Sequence, residues 1–563
     1  MRYKIKLLWC FGLLLAGAFV GERAQVLAIL KDRLQLRTVP SAVLSPTSLG
    51  ESLRQLGLLQ VVPNDYAVYK STPSDTLNQR QYLFQRKSQV GIQLYGVDRI
   101  APEALPSSTI VHATEIMRPE PLVSVVIDQT DLYDPAKGIL ANPRKHGKAW
   151  ERPAFLSYFE HGELQFASGI GLRLHGGKSR IARMEKSFRA YFRDIYGEDQ
   201  FPPGLIFDQS AYPLRSLVLH NDRRNNWFLV NPLAYDIATR LGAIAPQTQP
   251  VRFFLNGIFQ GVYVLTEYLG EDYLMSHYGH NRFTFARSKK ERGANIFKMG
   301  DPTLYEEFIE WALKKTPMTM QTVGERVNIE NLVNWVISIL FCGPTDATQG
   351  PVLLDMTAPH PTWFWINWDM DHSFQDKYKK VEHPWEINAF RQLRIRDPRG
   401  RLFNRMMAGD DEFRHYFFRK FTDAMNHSLT QEFLDERLAY YEKIASEYGI
   451  SERAYIETIR QFFRHRKAVL REQMQKLFSV GPSYLCSVQS SRRHATLEID
   501  GHAENSGYEG WYFEGMSIKV KVIPAPGYAF SHWLLNGQKI SGGGNVLDVS
   551  ITADTRIEAV VIR

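Results

Sequence analysis

Cysteine is almost missing from this chain: its 563 residues hold 3, at Cys10, Cys342 and Cys486. Cys10 lies inside an N-terminal apolar run, too early in it for a lipoprotein cysteine. The two thiols left downstream exclude a disulfide framework and a cysteine metal site. Long apolar stretches are scarce as well. The run Leu7 to Val20 is short for a membrane span. Concentrated charge is also lacking. Lys plus Arg number 68 against 60 Asp plus Glu, a net charge of +8 that is spread along the chain, so nothing points to nucleic acid. The basic clusters Arg287 to Arg292 and Arg464 to Lys467 read as solvated loop and helix faces, leaving at most a weak affinity for acidic surfaces. No His-Glu-x-x-His occurs, which removes support for a zinc hydrolase. The composition carries no disorder signal either.

What is present begins with the N-terminus. Arg2, Lys4 and Lys6 precede the apolar run, Gly21-Glu22-Arg23 follows it, and Val26-Leu27-Ala28 offers a small-residue cleavage site. Residues 1–28 thus have the layout of a secretory signal, with an uncleaved anchor through residues 7–20 as the alternative. Either way the expected location is outside the cytoplasm: periplasm, cell surface or extracellular. A chain of this length predicts two to four domains. Residues 29–117 are mixed and Pro-punctuated, with a helix near Leu27 to Arg37 and a strand near Tyr66 to Tyr69, and no chemistry attaches to them.

Chemistry concentrates in residues 118–480. Strands are expected at Leu122 to Asp128, Phe155 to Phe159 and Gly171 to Leu174. Gly176-Gly177 then breaks the strand, Ser179 and Arg180 follow on a loop, and a returning strand carries Lys186, Phe188, Ala190 and Phe192 in alternation. A glycine turn with a lysine on the returning strand can cover phosphates with backbone N–H groups and set an ammonium on them. Asn231 to Leu241 reads as a helix capped by Asn231, with Pro232 in its first turn and Gly242 as its stop. Val251 to Leu255 and Phe259 to Leu265 form a hairpin across Asn256-Gly257, ending at Glu267. The apolar run from Leu332 to Phe341 predicts a buried helix. Gly343-Pro344 ends it, and Asp346 sits just beyond. Val352 to Leu354 and Trp363 to Trp368 read as strands joined by a turn, and the second delivers Asp369 and Asp371. Two such carboxylates are what phosphoryl transfer to a hydroxyl requires: one accepts the hydroxyl proton, the other holds magnesium against the nucleotide phosphates.

The segments DLYDPAKGILAN, LRLHGGKSRIARMEKSFRAYF, LAYDIATRLGA, VRFFLNGIFQGVYVLTEYL, INWDMDHSF and LFNRMMAGDDEFRHYFFRKF resemble the CotH kinase family, the spore-coat-protein-H-like atypical kinases. The resemblance runs from about Pro119 to Phe478. It implies an α+β chain with a bilobed, protein-kinase-like domain that uses ATP and Mg2+, or Mn2+ in its place, to phosphorylate Ser/Thr hydroxyls of a cell-envelope protein. Residue by residue, it implies that Lys186 holds the nucleotide phosphates beneath Gly176, Gly177, Ser179 and Arg180. Asp346 becomes the catalytic-loop aspartate, Asp369 the metal ligand with Asp371 in support, and Glu267 falls where the adenine would lie. Asp236 is the candidate acidic partner for Lys186. One departure stands out. The family pattern carries a metal-binding Asn five residues after the aspartate, and this chain has Pro351, which offers no side-chain oxygen. A second magnesium would need Gln349, Asn367 or a backbone carbonyl.

Three helices are expected at Phe413 to Met425, Gln431 to Ala445 and Glu452 to Phe478. Residues 484–563 alternate polar and apolar residues, predicting a small antiparallel β-sandwich. It resembles bacterial repeat modules of surface proteins, where Trp511 or Trp533 could take carbohydrate. Two rival functions follow from the same residues. A pseudokinase scaffold is favoured by Pro351. A glycosyltransferase is suggested by Asp369-x-Asp371, though no opening nucleotide-binding βαβ unit is seen. A calcium loop starting at Asp369 fails at its sixth and twelfth positions, Phe374 and Lys380.

Overall fold

The computed structural model describes residues 65–70, 82–86 and 108–116, and then 118–563 apart from 178, 183–184, 208–211, 222–227, 289–295, 314–317, 346–349, 377–380, 396–397, 451–452, 492–493, 506, 541 and 543. The expected signal or anchor and the helix near Leu27 to Arg37 lie outside the described residues. Among the described residues no helix is long and apolar enough to cross a membrane. The chain is a mixture of helices and strands in two compact units. One comprises Met1–Leu205, Pro213–Asn221 and Pro250–Leu265; the other comprises Ile206–Tyr212, Asp222–Gln249 and Thr266–Arg563.

In the first unit, β1 (Asp65–Lys70), β2 (Tyr82–Arg86) and β3 (Ser108–His112) form a three-stranded sheet in the order β2-β1-β3. The strand expected at Tyr66 to Tyr69 is β1. Next come β4 (Leu122–Ile127), β5 (Arg152–Glu160), β6 (Glu163–His175), β7 (Ser187–Tyr191), β8 (Ser216–His220), β9 (Thr248–Leu255) and β10 (Ile258–Glu267). They close a barrel in the order β10-β8-β7-β6-β5-β4-β9. β4 is buried at every position, which explains its nearly unbroken apolar run, since a strand covered on both faces has no polar side to show. The β9–β10 hairpin turns at Asn256-Gly257 with φ of 51° and 77°, the doubly positive pair that a tight two-residue turn demands. Asn256 adds a staple: its Oδ1 accepts from Ile127 N at 2.8 Å and its Nδ2 donates to Ile127 O at 2.9 Å.

The second unit is built around α2 (Ile329–Cys342), capped by the Asn328 side chain at one end and by Gly343, with φ 59°, at the other. Its residues are buried from Asn331 to Cys342 except Asn334, as the all-round apolar run predicts. A sheet in the order β12-β11-β13-β14 (Ile296–Met299, Phe283–Ser288, Gly350–Asp355, Trp363–Trp365) lies in the same unit. β14 stops at Trp365 rather than Trp368, because Ile366 leaves to bridge Ile244 and Asn367 N donates to Ile244 O at 2.7 Å. The helix predicted at Asn231 is α1 (Val230–Arg240), and Gly242 ends it with φ 72°. Asn231 is not its cap: Leu229 holds that place, and Asn231 is buried within the first turn.

α3 (Asp411–Asp423), α4 (Gln431–Glu447) and α5 (Arg453–Phe478) are the three helices foreseen. The reading of Arg464 to Lys467 as a solvated face is corrected at Arg466, which is fully buried. Its guanidinium donates to the carbonyls of Leu340 and Phe341, at the C-terminus of α2, and to those of Trp385 and Ile387. Unpaired carbonyls and the negative pole of the helix collect there, and a cation satisfies both.

The terminal residues form two sheets. One has the order β18-β15-β23-β20-β21 (Tyr508–Phe513, Ser483–Ser490, Thr555–Ile562, Ala529–Leu535, Gln538–Ile540). The other is β17-β16-β19-β22 (His502–Glu504, Ala495–Ile499, Ser517–Pro524, Val546–Ser550). One hydrophobic cluster, including Val488, Leu497, Val520, Trp533 and Ile557, draws on both. Pairing is not antiparallel throughout, because β15 and β23 run parallel.

Candidate functional site

The two halves of the predicted site fall in different units, and each has its own geometry. In the first unit β6 ends at His175. Gly176 follows with φ 102°, a conformation few side chains tolerate. Gly176 and Gly177 are exposed, and Ser179 and Arg180 open a single helical turn, Ser179–Ala182. Lys186 stands one residue before β7. Its Nζ donates to the Arg180 carbonyl at 2.8 Å, and its own carbonyl accepts from Tyr263 Oη at 2.9 Å. The lysine therefore ties the glycine loop to the start of the returning strand. Partial burial draws its pKa below the usual lysine value, because desolvation disfavours the charged ammonium.

In the second unit the hairpin segment places Asp369 and Asp371 on one turn. Asp369 adopts φ 61°, and its N–H donates to Tyr235 Oη at 3.2 Å. A non-glycine residue in the left-handed region is uncommon, and such strain gathers at functional sites. Met370, between the two aspartates, is fully buried and fixes the turn to the core. Beyond it Phe374, also at positive φ, donates its N–H to Cys342 O at 2.9 Å and packs edge-on against Phe462 at 5.4 Å. Thr345 N reaches His372 O at 3.4 Å. The residue before Asp346 and the residue after Asp371 are thus hydrogen-bonded, so the C-terminus of α2 and the acidic turn start side by side. Asp346 itself lies outside the described residues, as does Gln349. Asp369 and Asp371, both half-buried, present hard oxygen donors of the kind magnesium prefers.

Three sequence expectations change. Glu267 is fully buried at the end of β10, its carboxylate accepting from Gln247 N at 2.8 Å and lying 2.6 Å from His277 Nε2. That carboxylate acts as a pin between segments rather than as an open ligand. Asp236 contacts Arg437 Nη2 at 2.5 Å and Tyr441 Oη at 2.7 Å, so it is committed within its own unit, away from the role of lysine partner. Asn367 is buried, its Oδ1 accepting from Ser338 Oγ at 3.1 Å and its Nδ2 donating to Ile244 O at 3.4 Å. Its amide is spent on packing, and it is a poor stand-in for the missing metal-binding Asn. Pro351 is a buried member of β13. No short motif announces Tyr235, His372 or Arg466: the Tyr235 hydroxyl and the Arg466 guanidinium meet backbone groups of distant segments, and His372 contributes its carbonyl.

The model of the CotH kinase protein family matches residues 172–472, more than half of the chain. The chain belongs to the CotH kinase family, and it is kinase-like. Among solved structures it is similar to the Golgi casein kinase, at 10% sequence identity, over 64% of this chain and 74% of that chain, with a TM-score of 0.26. A search of curated proteins finds no match.

Proposed function

We propose that this chain is an exported, ATP- and magnesium-dependent kinase that moves the γ-phosphate to Ser/Thr hydroxyls of a cell-envelope protein. The observation that carries the reading is the family match over residues 172–472, which spans the glycine loop, Lys186, Asp346 and the acidic turn. In a bilobed kinase arrangement, Lys186 with Gly176, Gly177, Ser179 and Arg180 would hold the phosphates, and Asp346 would accept the hydroxyl proton. Asp369, supported by Asp371, would hold magnesium, which supplies charge neutralisation at the phosphates. The strained turn at Asp369 and the hydrogen bond between Thr345 and His372 support that assignment. With Asn367 committed to packing, a second magnesium would have to be held by Gln349 or a backbone carbonyl. Glu267 would contribute to the adenine region through its backbone. Trp533 is buried and unsuited to carbohydrate, whereas Trp511 is 39% exposed and remains the candidate platform for a sugar.

Purified protein incubated with γ-labelled ATP and envelope fractions should label at least one protein band, only when magnesium is present. Asp369→Ala and Asp346→Asn should each abolish the label. Nucleotide binding with no transfer to any fraction would establish the scaffold reading in place of the kinase.

A further inference from the structure

The junction between the C-terminal helices and the terminal sheets holds a side-chain cluster that phosphoryl transfer does not use. Asp423 is the last residue of α3, His427 lies four positions on in the π-helical turn Ala424–Ser428, and His502 opens β17. One ligand atom from each lies within 4.8 Å of the other two. His502 Nε2 meets Asp423 Oδ1 at 2.7 Å. The His502 ring stacks on His427 with centroids 4.1 Å apart, and Glu504 Oε1 stands 3.6 Å from His427 Nδ1.

His427 is the decisive residue. It is 8% exposed, and among the described residues neither ring nitrogen has a hydrogen-bond partner. Buried polar side chains are nearly always bonded, and an exception asks for an explanation such as an ion. Its ring also stacks on Tyr508, with centroids 5.0 Å apart, and neutral imidazole nitrogens are common metal ligands. Asp423 brings negative charge, with Glu504 close by. This donor set, two imidazoles and carboxylate oxygens, suits zinc and related ions and is a poor match for magnesium.

We propose that Asp423, His427 and His502 form a zinc-type divalent metal site, with Glu504 as the nearest further oxygen donor, and that the bound ion clamps the terminal β module to the helices. Donor atoms around tetrahedral zinc sit about 3.3 Å apart given bonds of about 2.0 Å. Binding therefore requires His502, whose side chain is 42% exposed, to exchange its hydrogen bond to Asp423 for the metal. The movement is a side-chain rotation at the surface.

The test is zinc uptake by the full chain in excess magnesium, measured by calorimetry, with the visible spectrum of the cobalt-loaded protein reporting nitrogen and oxygen ligands. One site per chain is expected. Affinity should fall at least about tenfold in both His502→Ala and Asp423→Asn, whose exposed positions tolerate change. It should stay unchanged in Asp369→Ala, which separates this site from the phosphoryl-transfer site. Zinc should also raise the melting temperature of the unmutated chain and leave that of His502→Ala where it was. Should His502→Ala fail to fold, His502→Gln serves the same comparison. Absence of zinc uptake by the unmutated chain, or uptake that both variants retain in full, would overturn the proposal and leave His427 as a stacked packing residue.

Discussion

Asp369 joins two properties that substitutions can separate. Its carboxylate is the candidate metal ligand, and its backbone occupies the left-handed region at φ 61°. Asn tolerates that conformation nearly as well as Asp, whereas Ala does not. Asp369→Asn is therefore expected to lose phosphate transfer while keeping its denaturant midpoint, and Asp369→Ala to lose transfer together with about 1 kcal/mol of stability. Equal destabilisation by both would show that the turn carries no strain of its own. Arg466 is the second test at this scale. Burial pulls its guanidinium down to about 9, still charged near neutrality. Arg466→Met would strip the carbonyls of Leu340, Phe341, Trp385 and Ile387 of a donor; Ile387 O still accepts from Ala389 N at 3.1 Å, and each of the others left buried without a partner costs roughly 1–3 kcal/mol. Partial relaxation brings the expected loss to about 3–5 kcal/mol, measured by urea unfolding. The two residues were not equally legible in the sequence. Asp369 is a candidate because a strand is expected to end in charge there, while Arg466 looks like one more cation on a basic helix face. Its burial depends on where the C-terminus of α2 arrives, which no local pattern encodes.

Elements whose identity rests on local chemistry are legible in the sequence. Asn256-Gly257 forces a tight hairpin, an all-apolar run forces a buried helix, and alternation in the terminal residues forces strands. Boundaries that depend on partners are less legible. β14 ends early because Ile366 and Asn367 turn aside to Ile244, and α1 begins at Val230 without help from Asn231. The parallel pairing of β15 with β23 likewise reflects a non-local meeting of strands. The β9–β10 hairpin shows how a local turn acquires a long-range task. Asn256 both supplies the positive φ and stitches the turn to Ile127 of β4 through two hydrogen bonds. Asn256→Ala should cost about 2–3 kcal/mol, combining the strain with the lost bonds. Asn256→Gly should recover the part due to strain, about 1 kcal/mol, and nothing more. Thermal melts of the three proteins would check the order. If Gly were as damaging as Ala, the side-chain staple alone would account for the loss.

For the whole molecule, the sequence predicts a terminal β module and says nothing of how it meets the helices. The contacts describe a docked module. Phe513 packs against Phe418 with ring centroids 5.4 Å apart and against Phe421 at 6.5 Å. Asn426 makes two hydrogen bonds to the Trp511 backbone, at 3.2 and 3.1 Å. Arg471 lies 4.6 Å from the centre of the Trp511 ring. α3 and α5 therefore present one face to their own helical neighbours and another to β18. A chain cut after residue 480 would expose Phe418 and Phe421 together, a contiguous apolar patch of the kind that drives association. The truncated protein is expected to be less soluble and to melt at a lower temperature than the full chain. Phe513→Ala, which opens the same contact without removing the module, should cost about 3–5 kcal/mol. Because the module shares this core contact with the helices, the full chain should unfold its helical region and terminal sheets in one calorimetric transition. Two resolved transitions, with the first unaffected by Phe513→Ala, would instead describe an independent module whose contacts with α3 and α5 contribute nothing to stability.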